Sequence, residues 1–272
     1  MNRRMLLLAG FALALVGAPA AAQHFQPSRF SVEVVGRGPD VILIPGLTSG
    51  RDVWRGTVAA LPGYRYHLIQ VAGFAGEAAR GNRAGPIVAP LAEEIARYIA
   101  DRHLVRPAII GHSMGGTLGM MIAARHPELV GRLMVVDMYP QPAGLFGGTA
   151  QGMSPLAGII ASPGGRRLFA NLMNVFSPPQ VAGRSDPDVV GRAVHDLAVT
   201  DLTAELPRIR APFTVAYAAS APEARATVDR SFARAYAAAP RARLVRIDGS
   251  GHMVMLDQPA RLNAAIREFL AR

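Results

Sequence analysis

The sequence predicts an α/β fold in which a mostly parallel sheet is covered by helices on both faces. Three observations support this prediction. Short apolar runs alternate with segments of helical periodicity, a Gly-x-Ser-x-Gly motif joins one such run to a helix, and 272 residues are enough for one large α/β domain. Alternating strands and helices are typical of βαβ units, whose strands lie parallel in one sheet.

The first part of the core is predicted at residues 23–140. Segments 29–35 and 40–44 are separated by a turn rich in Gly and Pro, which favours a β-hairpin. A third strand is expected at residues 64–71, and an amphipathic helix at residues 87–102. Strands and helices then alternate to the end of this part.

The pattern changes at residues 141–206, where Gly-, Pro- and Ser-rich loops separate short apolar segments. Because these segments are too apolar for a linker, we expect a small, mobile helical cap inserted between two core strands. Residues 207–272 form the second part of the core. They contain predicted strands at 213–218 and 243–248 and a closing helix at 258–270.

Residues 1–22 have the three parts of a secretory signal peptide. These are a basic start, an apolar run too short to span a bilayer, and a cleavage site of small residues ending at Ala22. We expect cleavage there and export to the periplasm of a bacterium or to the medium, with no stable membrane insertion afterwards. An uncleaved anchor is the alternative.

The composition limits the classes of partner and chemistry. The formal net charge is +10, and every basic residue is an arginine. These arginines are dispersed and not interleaved with aromatic residues, so we expect no nucleic-acid partner. A coding bias and an attraction to anionic surfaces both remain as explanations of the charge. The lack of cysteine excludes a thiol nucleophile and a zinc-thiolate site.

Ser113 is the candidate nucleophile, because it is the centre of Gly111-His112-Ser113-Met114-Gly115 between an apolar strand and an apolar helix. A serine in such a sharp turn needs small residues two positions before and after it, so that the neighbouring backbone can approach. The first N–H groups of the helix would lie behind the hydroxyl, where an oxyanion could bind.

His252 is the candidate base, since a serine hydroxyl needs a histidine that is itself oriented by a carboxylate. It lies between the predicted strand 243–248 and the closing helix, which places it at the same edge of a parallel sheet as Ser113. We expect the other histidines to pack or to lie away from the reaction: His24, His67, His103, His112, His126 and His195.

Four stretches, found in this order, resemble α/β-hydrolase-fold serine hydrolases of the esterase type. They are VILIPGLTSGRDVW (41–54), IIGHSMGG (109–116), RLMVVDMYP (132–140) and IDGSGHMVMLDQP (247–259), and the resemblance extends from about residue 31 to the C-terminus. It implies Ser113 as nucleophile, His252 as base, and an oxyanion hole made by the backbone N–H groups of Leu47 and Met114. It also implies that residues 141–206 occupy the position of the family's lid, and that no cofactor or metal is needed.

The first departure from the family pattern lies in the loop that carries Leu47. This loop reads Pro45-Gly46 where the family usually has His-Gly. Because the donor is the backbone N–H of the next residue, we expect the oxyanion hole to survive the change.

The second departure concerns the acid, because the family's usual position after strand 213–218 holds no aspartate. We favour Asp137, since some family members take their acid from the preceding strand and since the order Ser, Asp, His is kept. A structural role in the turn after that strand is the alternative for Asp137. Glu223 and Asp229 are displaced from the expected position, and we expect both to begin the following helix, where carboxylates are favourable.

The residues and the resemblance together predict hydrolysis of small or medium-sized carboxylic esters through an acyl-enzyme. Alternatives are hydrolysis of amides, lactones or carbon–carbon bonds on the same scaffold, or a catalytically weak binding protein. The chain length of the substrate and the oligomeric state are left open. Five apolar residues at this edge could form either a substrate site or core: Leu47, Met114, Met138, Met253 and Met255.

Overall fold

The computed structural model describes residues 25–173 and 184–272. In these ranges seven strands form one sheet in the order β1-β3-β2-β4-β5-β6-β7. The strands are β1 (Phe30–Gly36), β2 (Asp40–Ile44), β3 (Arg65–Val71), β4 (Ala108–His112), β5 (Arg132–Val136), β6 (Phe213–Ala219) and β7 (Arg243–Asp248). The α-helices are α1 (Arg55–Ala60), α2 (Val88–Asp101), α3 (Met114–Arg125), α4 (Ala150–Ala161), α5 (Pro163–Met173), α6 (Pro187–Val199), α7 (Arg225–Ala235), α8 (Val254–Asp257) and α9 (Pro259–Ala271).

The sheet separates two apolar clusters, as the period of two along a strand requires. In β2, Ile42 and Ile44 belong to the cluster that contains α2 and α3, whereas Val41 and Leu43 belong to the cluster that contains α8 and α9. All pairs from β3 to β7 are parallel. The predicted fold, a mostly parallel sheet with helices on both faces, is therefore confirmed.

The predicted β-hairpin between β1 and β2 is wrong, because β3 lies between them. Strand β1 pairs antiparallel with β3, while β2 pairs parallel with both β3 and β4. The apolar run of β2 is buried on both faces, as is typical of an interior strand of a parallel sheet, whereas the hairpin prediction placed it next to the edge strand β1. The turn crosses the start of β3 closely: a Cβ on Gly36 would lie 2.3 Å from the Tyr64 carbonyl oxygen.

Helices α4, α5 and α6 are inserted between β5 and β6, where the sequence predicts a helical cap. Helix α6 is fixed to the core, because Asp196 Oδ2 accepts hydrogen bonds from the backbone N–H groups of Ile87 and Val88 at the start of α2. At the other end of α6, Asp186 donates its N–H to the Gly73 carbonyl. Helices α4 and α5 pack on α6 and on each other. The domain boundaries at residues 141 and 206 stay predictions.

The predicted signal peptide at residues 1–22 lies outside the described residues. Among the helices that the structure does describe, none is both long enough and apolar enough to cross a membrane.

Candidate active site

The turn between β4 and α3 holds Ser113 in a backbone conformation that few L-residues adopt, with φ 53° and ψ −122°. Its flanking glycines are required by close backbone contacts. A Cβ on Gly111 would lie 2.1 Å from the Gly115 carbonyl oxygen, and a Cβ on Gly115 would lie 2.3 Å from the Ile44 carbonyl oxygen. The N–H of Ser113 donates to the Val136 carbonyl at 2.9 Å, which ties the turn to β5.

His252 lies in the loop between β7 and α8, and its Nε2 is 2.9 Å from Ser113 Oγ. Two contacts brace this loop from the segment that follows it. Gly251 N–H donates to an Asp257 carboxylate oxygen, and the Gln258 side chain donates to the Gly249 carbonyl, both at 2.9 Å. The histidine predicted as base therefore reaches the predicted nucleophile.

Asp137 immediately follows β5, and its Oδ2 is 2.8 Å from His252 Nδ1. A carboxylate only accepts hydrogen bonds, so Nδ1 carries the proton and Nε2 is left to accept the hydrogen of the Ser113 hydroxyl. Asp137 is buried, and its Oδ1 accepts the N–H of Ala218 at 2.9 Å while its own N–H donates to the Ala216 carbonyl at 2.7 Å. The three predicted triad residues are thus joined by hydrogen bonds.

Glu223 and Asp229 have other surroundings. Glu223 is exposed in a 3-10 turn, Pro222–Ala224, just before α7. Asp229 does not begin the helix as expected. It lies in the second turn of α7, accepts the hydroxyl hydrogen of Tyr217 at 2.8 Å, and forms an ion pair with Arg246 at 2.5 Å. Burial first, and Asp229 second, raise the pKa of Tyr217 to about 12.

The two predicted oxyanion donors follow neighbouring strands. Met114 is the first residue of α3, so its N–H has no acceptor within the helix. Leu47 follows Gly46 in the loop after β2, and its side chain lines the cavity at Ser113. Strands β2 and β4 are adjacent and parallel, which brings both backbone segments to the edge of the sheet where Ser113 lies.

A cavity of about 560 Å³ opens at Ser113. Its walls beyond the reacting groups are almost wholly apolar, and many come from the cap: Leu47, Ser49, Met138, Pro142, Ala143, Leu145, Met153, Leu156, Ile160, Val194, Leu197, Ala198 and Met253. Of the five apolar residues predicted at this edge, Leu47, Met138 and Met253 line the cavity. Met114 and Met255 are buried in the core clusters instead.

The cap residues of the cavity were missed by the sequence analysis, although the signal was present. Met153, Leu156 and Ile160 recur at helical spacing on α4, and Val194 and Leu197 do so on α6. Apolar residues at this spacing mark one face of a helix, but the sequence alone does not say whether that face covers core or a cavity.

His112 is fully buried beside the triad, as predicted for a packing residue, and it makes a specific contact as well. Its Nε2 is 2.8 Å from the His252 carbonyl oxygen, and the two rings are 4.7 Å apart. Burial first, and the neighbouring His252 second, lower the pKa of His112 to about 3. The ring is therefore neutral near pH 7.

His67 lies in β3, as predicted, and is buried between Tyr98 and Asp40, with hydrogen bonds of 2.8 and 2.9 Å. His126 follows α3 and is 2.7 Å from a Glu93 carboxylate oxygen. These two histidines have structural partners away from Ser113. Within residues 25–173 and 184–272, no group of three or more His, Asp or Glu side chains could hold a metal ion.

Comparisons with known proteins identify the family and the fold that the chain resembles. The sequence profile of the alpha/beta hydrolase family matches residues 41–265. The chain is 26% identical to an uncharacterized protein of Mycobacterium tuberculosis over 89% of this chain and 78% of that protein. It is 29% identical to the pimeloyl-[acyl-carrier protein] methyl ester esterase of Vibrio vulnificus over 67% of this chain and 76% of the relative. A thermophilic esterase from Thermogutta terrifontis has a TM-score of 0.68 at 23% identity, covering 92% of this chain and 98% of that structure, which is a likeness of fold.

Proposed function

The chain belongs to the alpha/beta hydrolase family, and on that premise we propose that it hydrolyses apolar carboxylic esters through an acyl-enzyme on Ser113. The observation that carries the proposal is the continuous hydrogen-bonded series from Asp137 through His252 to Ser113. An oriented base beside a hydroxyl that lines a cavity is the arrangement by which a serine becomes a nucleophile near neutral pH.

In the acylation step, Ser113 Oγ bonds to the ester carbonyl carbon while His252 Nε2 takes the hydroxyl proton. The backbone N–H groups of Leu47 and Met114 stabilise the oxyanion that forms, and donors of this kind contribute about 3 to 4 kcal/mol each. The carbon–oxygen bond to the alcohol then breaks, and His252 gives its proton to the leaving oxygen. Asp137 stabilises the imidazolium while this proton is held.

In the deacylation step, water takes the place of the alcohol. His252 removes a proton from the water as its oxygen bonds to the acyl carbon, and the proton passes to Ser113 Oγ as the acyl group leaves. The product acid is released, and both side chains return to their starting protonation states.

The cavity supports an apolar substrate. Apart from the triad and His112, the lining residues are uncharged, and Ser49 is the one among them with a side-chain hydroxyl. A charged group on the substrate would lose its water there without gaining an ion pair, which is costly. The relative from Vibrio vulnificus, named for a methyl ester esterase activity, supports the ester class.

A fluorophosphonate probe tests the nucleophile directly, because it reacts with an activated serine and needs no knowledge of the substrate. We expect the purified protein to gain one label, mapped by mass spectrometry to Ser113, and Ser113→Ala to gain none. A panel of p-nitrophenyl esters should then show turnover that Ser113→Ala lacks. A folded wild-type protein that neither labels nor hydrolyses any ester would favour the weak binding protein instead.

We also propose that the protein acts after export, on the basis of its first 22 residues. Expression with and without residues 1–22, followed by separation of periplasm and cytoplasm, tests this. The full chain should appear shortened in the periplasm, with an N-terminus at Gln23, and the truncated chain should stay in the cytoplasm. Retention of the full-length chain in the membrane would indicate the uncleaved anchor.

A further inference from the structure

His112 is placed between the two loops that the proposed reaction depends on. It is the last residue of β4, lies opposite Val136 of β5 in the sheet, and directly precedes Ser113. Its side chain is 1% exposed. The ring therefore has fixed neighbours, and the chemistry of each ring nitrogen can be derived from what it contacts.

The first neighbour is the loop of the base. His112 Nε2 is 2.8 Å from the backbone carbonyl oxygen of His252. A carbonyl oxygen only accepts, so Nε2 must carry the hydrogen and donate it. This bond fixes the backbone of the residue whose ring has to reach Ser113 and Asp137 at the same time.

The second neighbour is the loop of the oxyanion donor. A Cβ on Gly46 would lie 2.8 Å from His112 Nδ1 and 3.0 Å from Ser113 Cβ, so this backbone rests directly on the imidazole ring. Nδ1 has no hydrogen-bond donor among the residues that the structure describes. Leu47 is the next residue. The contact of Gly46 with the ring therefore also fixes the position of the Leu47 N–H, the proposed oxyanion donor, relative to Ser113.

The contact with the His252 carbonyl requires a hydrogen on Nε2, and the surroundings of Nδ1 favour a neutral ring without a second hydrogen. A proton on Nδ1 would have no acceptor, and the resulting cation would face the His252 ring, which itself becomes positive during the reaction. Burial first, and the neighbouring His252 second, lower the pKa of His112 to about 3, so the neutral ring is the form present near pH 7.

We propose that His112 is a positioning residue, which holds the His252 loop by its Nε2–H and supports the Gly46 loop with its ring, so that base and oxyanion donor keep their places relative to Ser113. The kinetic effects expected of His112 substitutions rest on the proposed function. The expected contacts and protonation of the His112 ring do not.

Two substitutions separate the hydrogen bond from the volume of the side chain. His112→Met has a similar reach but no donor, and it leaves the His252 carbonyl buried without its partner. His112→Gln keeps an N–H group at about the distance of Nε2. His126→Met, at a histidine that contacts Glu93 on the surface, is the matched control.

We expect His112→Met to lower kcat about 10- to 100-fold with a much smaller change in KM, since misplacement of a reacting group affects the transition state more than substrate binding. His112→Gln should stay within about tenfold of the wild type, and His126→Met should match it. Wild-type kcat in His112→Met would overturn the proposal. Equal losses in the Met and Gln variants would also overturn it, because the donor would then not be what matters.

Nitrogen NMR of protein labelled with ¹⁵N-histidine gives a readout that needs no enzymatic activity and no substitution at His112. In Ser113→Ala, His112 should show a neutral ring with hydrogen on Nε2, unchanged from about pH 8 to about pH 5, while an ordinary histidine titrates in this range. A His112 signal that titrates there, or that carries its hydrogen on Nδ1, would refute the proposal. If the wild type neither labels with fluorophosphonate nor turns over esters, the proposed function fails. The spectrum then still tests whether His112 Nε2 carries the hydrogen that it donates to the His252 carbonyl.

Discussion

Asp137 and His252 are joined by a hydrogen bond although a strand lies between the two strands that they follow. Asp137 follows β5 and His252 follows β7, with β6 between them in the sheet, yet Oδ2 and Nδ1 are 2.8 Å apart. Strand β6 supplies a backbone N–H at Ala218, which donates to the other carboxylate oxygen of Asp137 at 2.9 Å. The carboxylate is thus oriented by one strand and orients a histidine that follows another.

Asp137→Asn should lower kcat by as much as about 10⁴-fold, by analogy with other Ser-His-Asp triads, because an amide favours the wrong imidazole tautomer. The fold should be retained, since Asp137 has φ 50° and asparagine tolerates this conformation well. Steady-state kinetics on a p-nitrophenyl ester, with circular dichroism for the fold, measure both effects.

Glu223→Gln and Asp229→Asn are the controls for that substitution. Glu223 is exposed, and the Asp229 carboxylate bonds to Tyr217 and Arg246. We expect both variants to keep wild-type kcat, and Asp229→Asn to lose about 1 kcal/mol of stability or less, as is typical of exposed ion pairs. An inactive Glu223→Gln beside an active Asp137→Asn would move the acid to the later loop.

Ser113→Ala and His252→Ala should each abolish most ester turnover, and the double variant should be no slower than either single one. The two side chains act as one unit, so the second substitution has little left to remove. The comparison requires kcat/KM for all three variants on the same ester. A double variant much slower than both singles would contradict the coupling.

Leu156→Asp should raise KM for apolar esters and shift the preferred acyl chain to shorter lengths. Leu156 lines the cavity from α4, where a carboxylate would draw water into an apolar wall. Ile159→Asp is the matched control, since Ile159 is on the same helix but is 59% exposed. A p-nitrophenyl ester series of increasing acyl length provides the measurement, and equal profiles for both variants would remove Leu156 from the substrate site.

Limited proteolysis should cut first in the cap, near residues 147–148 or 162–165, before any core strand. Asp196→Ala should speed this cleavage, because two N–H groups at the start of α2 lose their acceptor on α6. Asp196→Asn keeps an acceptor oxygen and should behave closer to the wild type. First cleavage inside the sheet would overturn the predicted boundary of the cap.

Local patterns in the sequence predicted most of the strands, since apolar runs bounded by turn residues identify them without reference to distant segments. They could not predict the strand order at the first edge. Segments 29–35 and 40–44 look like a hairpin, and only the later β3 reveals that a third strand separates them. Pairing of this kind depends on which strand is buried on both faces, and that is a property of the whole sheet.

The candidate site shows the same division. Ser113 and His252 lie in local sequence motifs that can be recognised without reference to distant segments. The motif of Ser113 requires the close backbone contacts found at Gly111 and Gly115. Asp229 was misplaced because its proximity to a predicted helix start was used without knowing where α7 begins, which is at Arg225. The His112 contact joins residues 140 positions apart and has no local signature.

The carboxylate that is hydrogen-bonded to His252 Nδ1 belongs to Asp137, directly after β5, and not to the segment after β6 where the family pattern usually carries its acid. Residues 220–224 connect β6 to α7, and Glu223 among them is exposed. Surface turns tolerate changes of length when their backbone and side chains hold nothing else in place. This turn is therefore a position at which a recognition peptide or a second binding module can be inserted without altering the hydrogen-bonded series from Asp137 through His252 to Ser113.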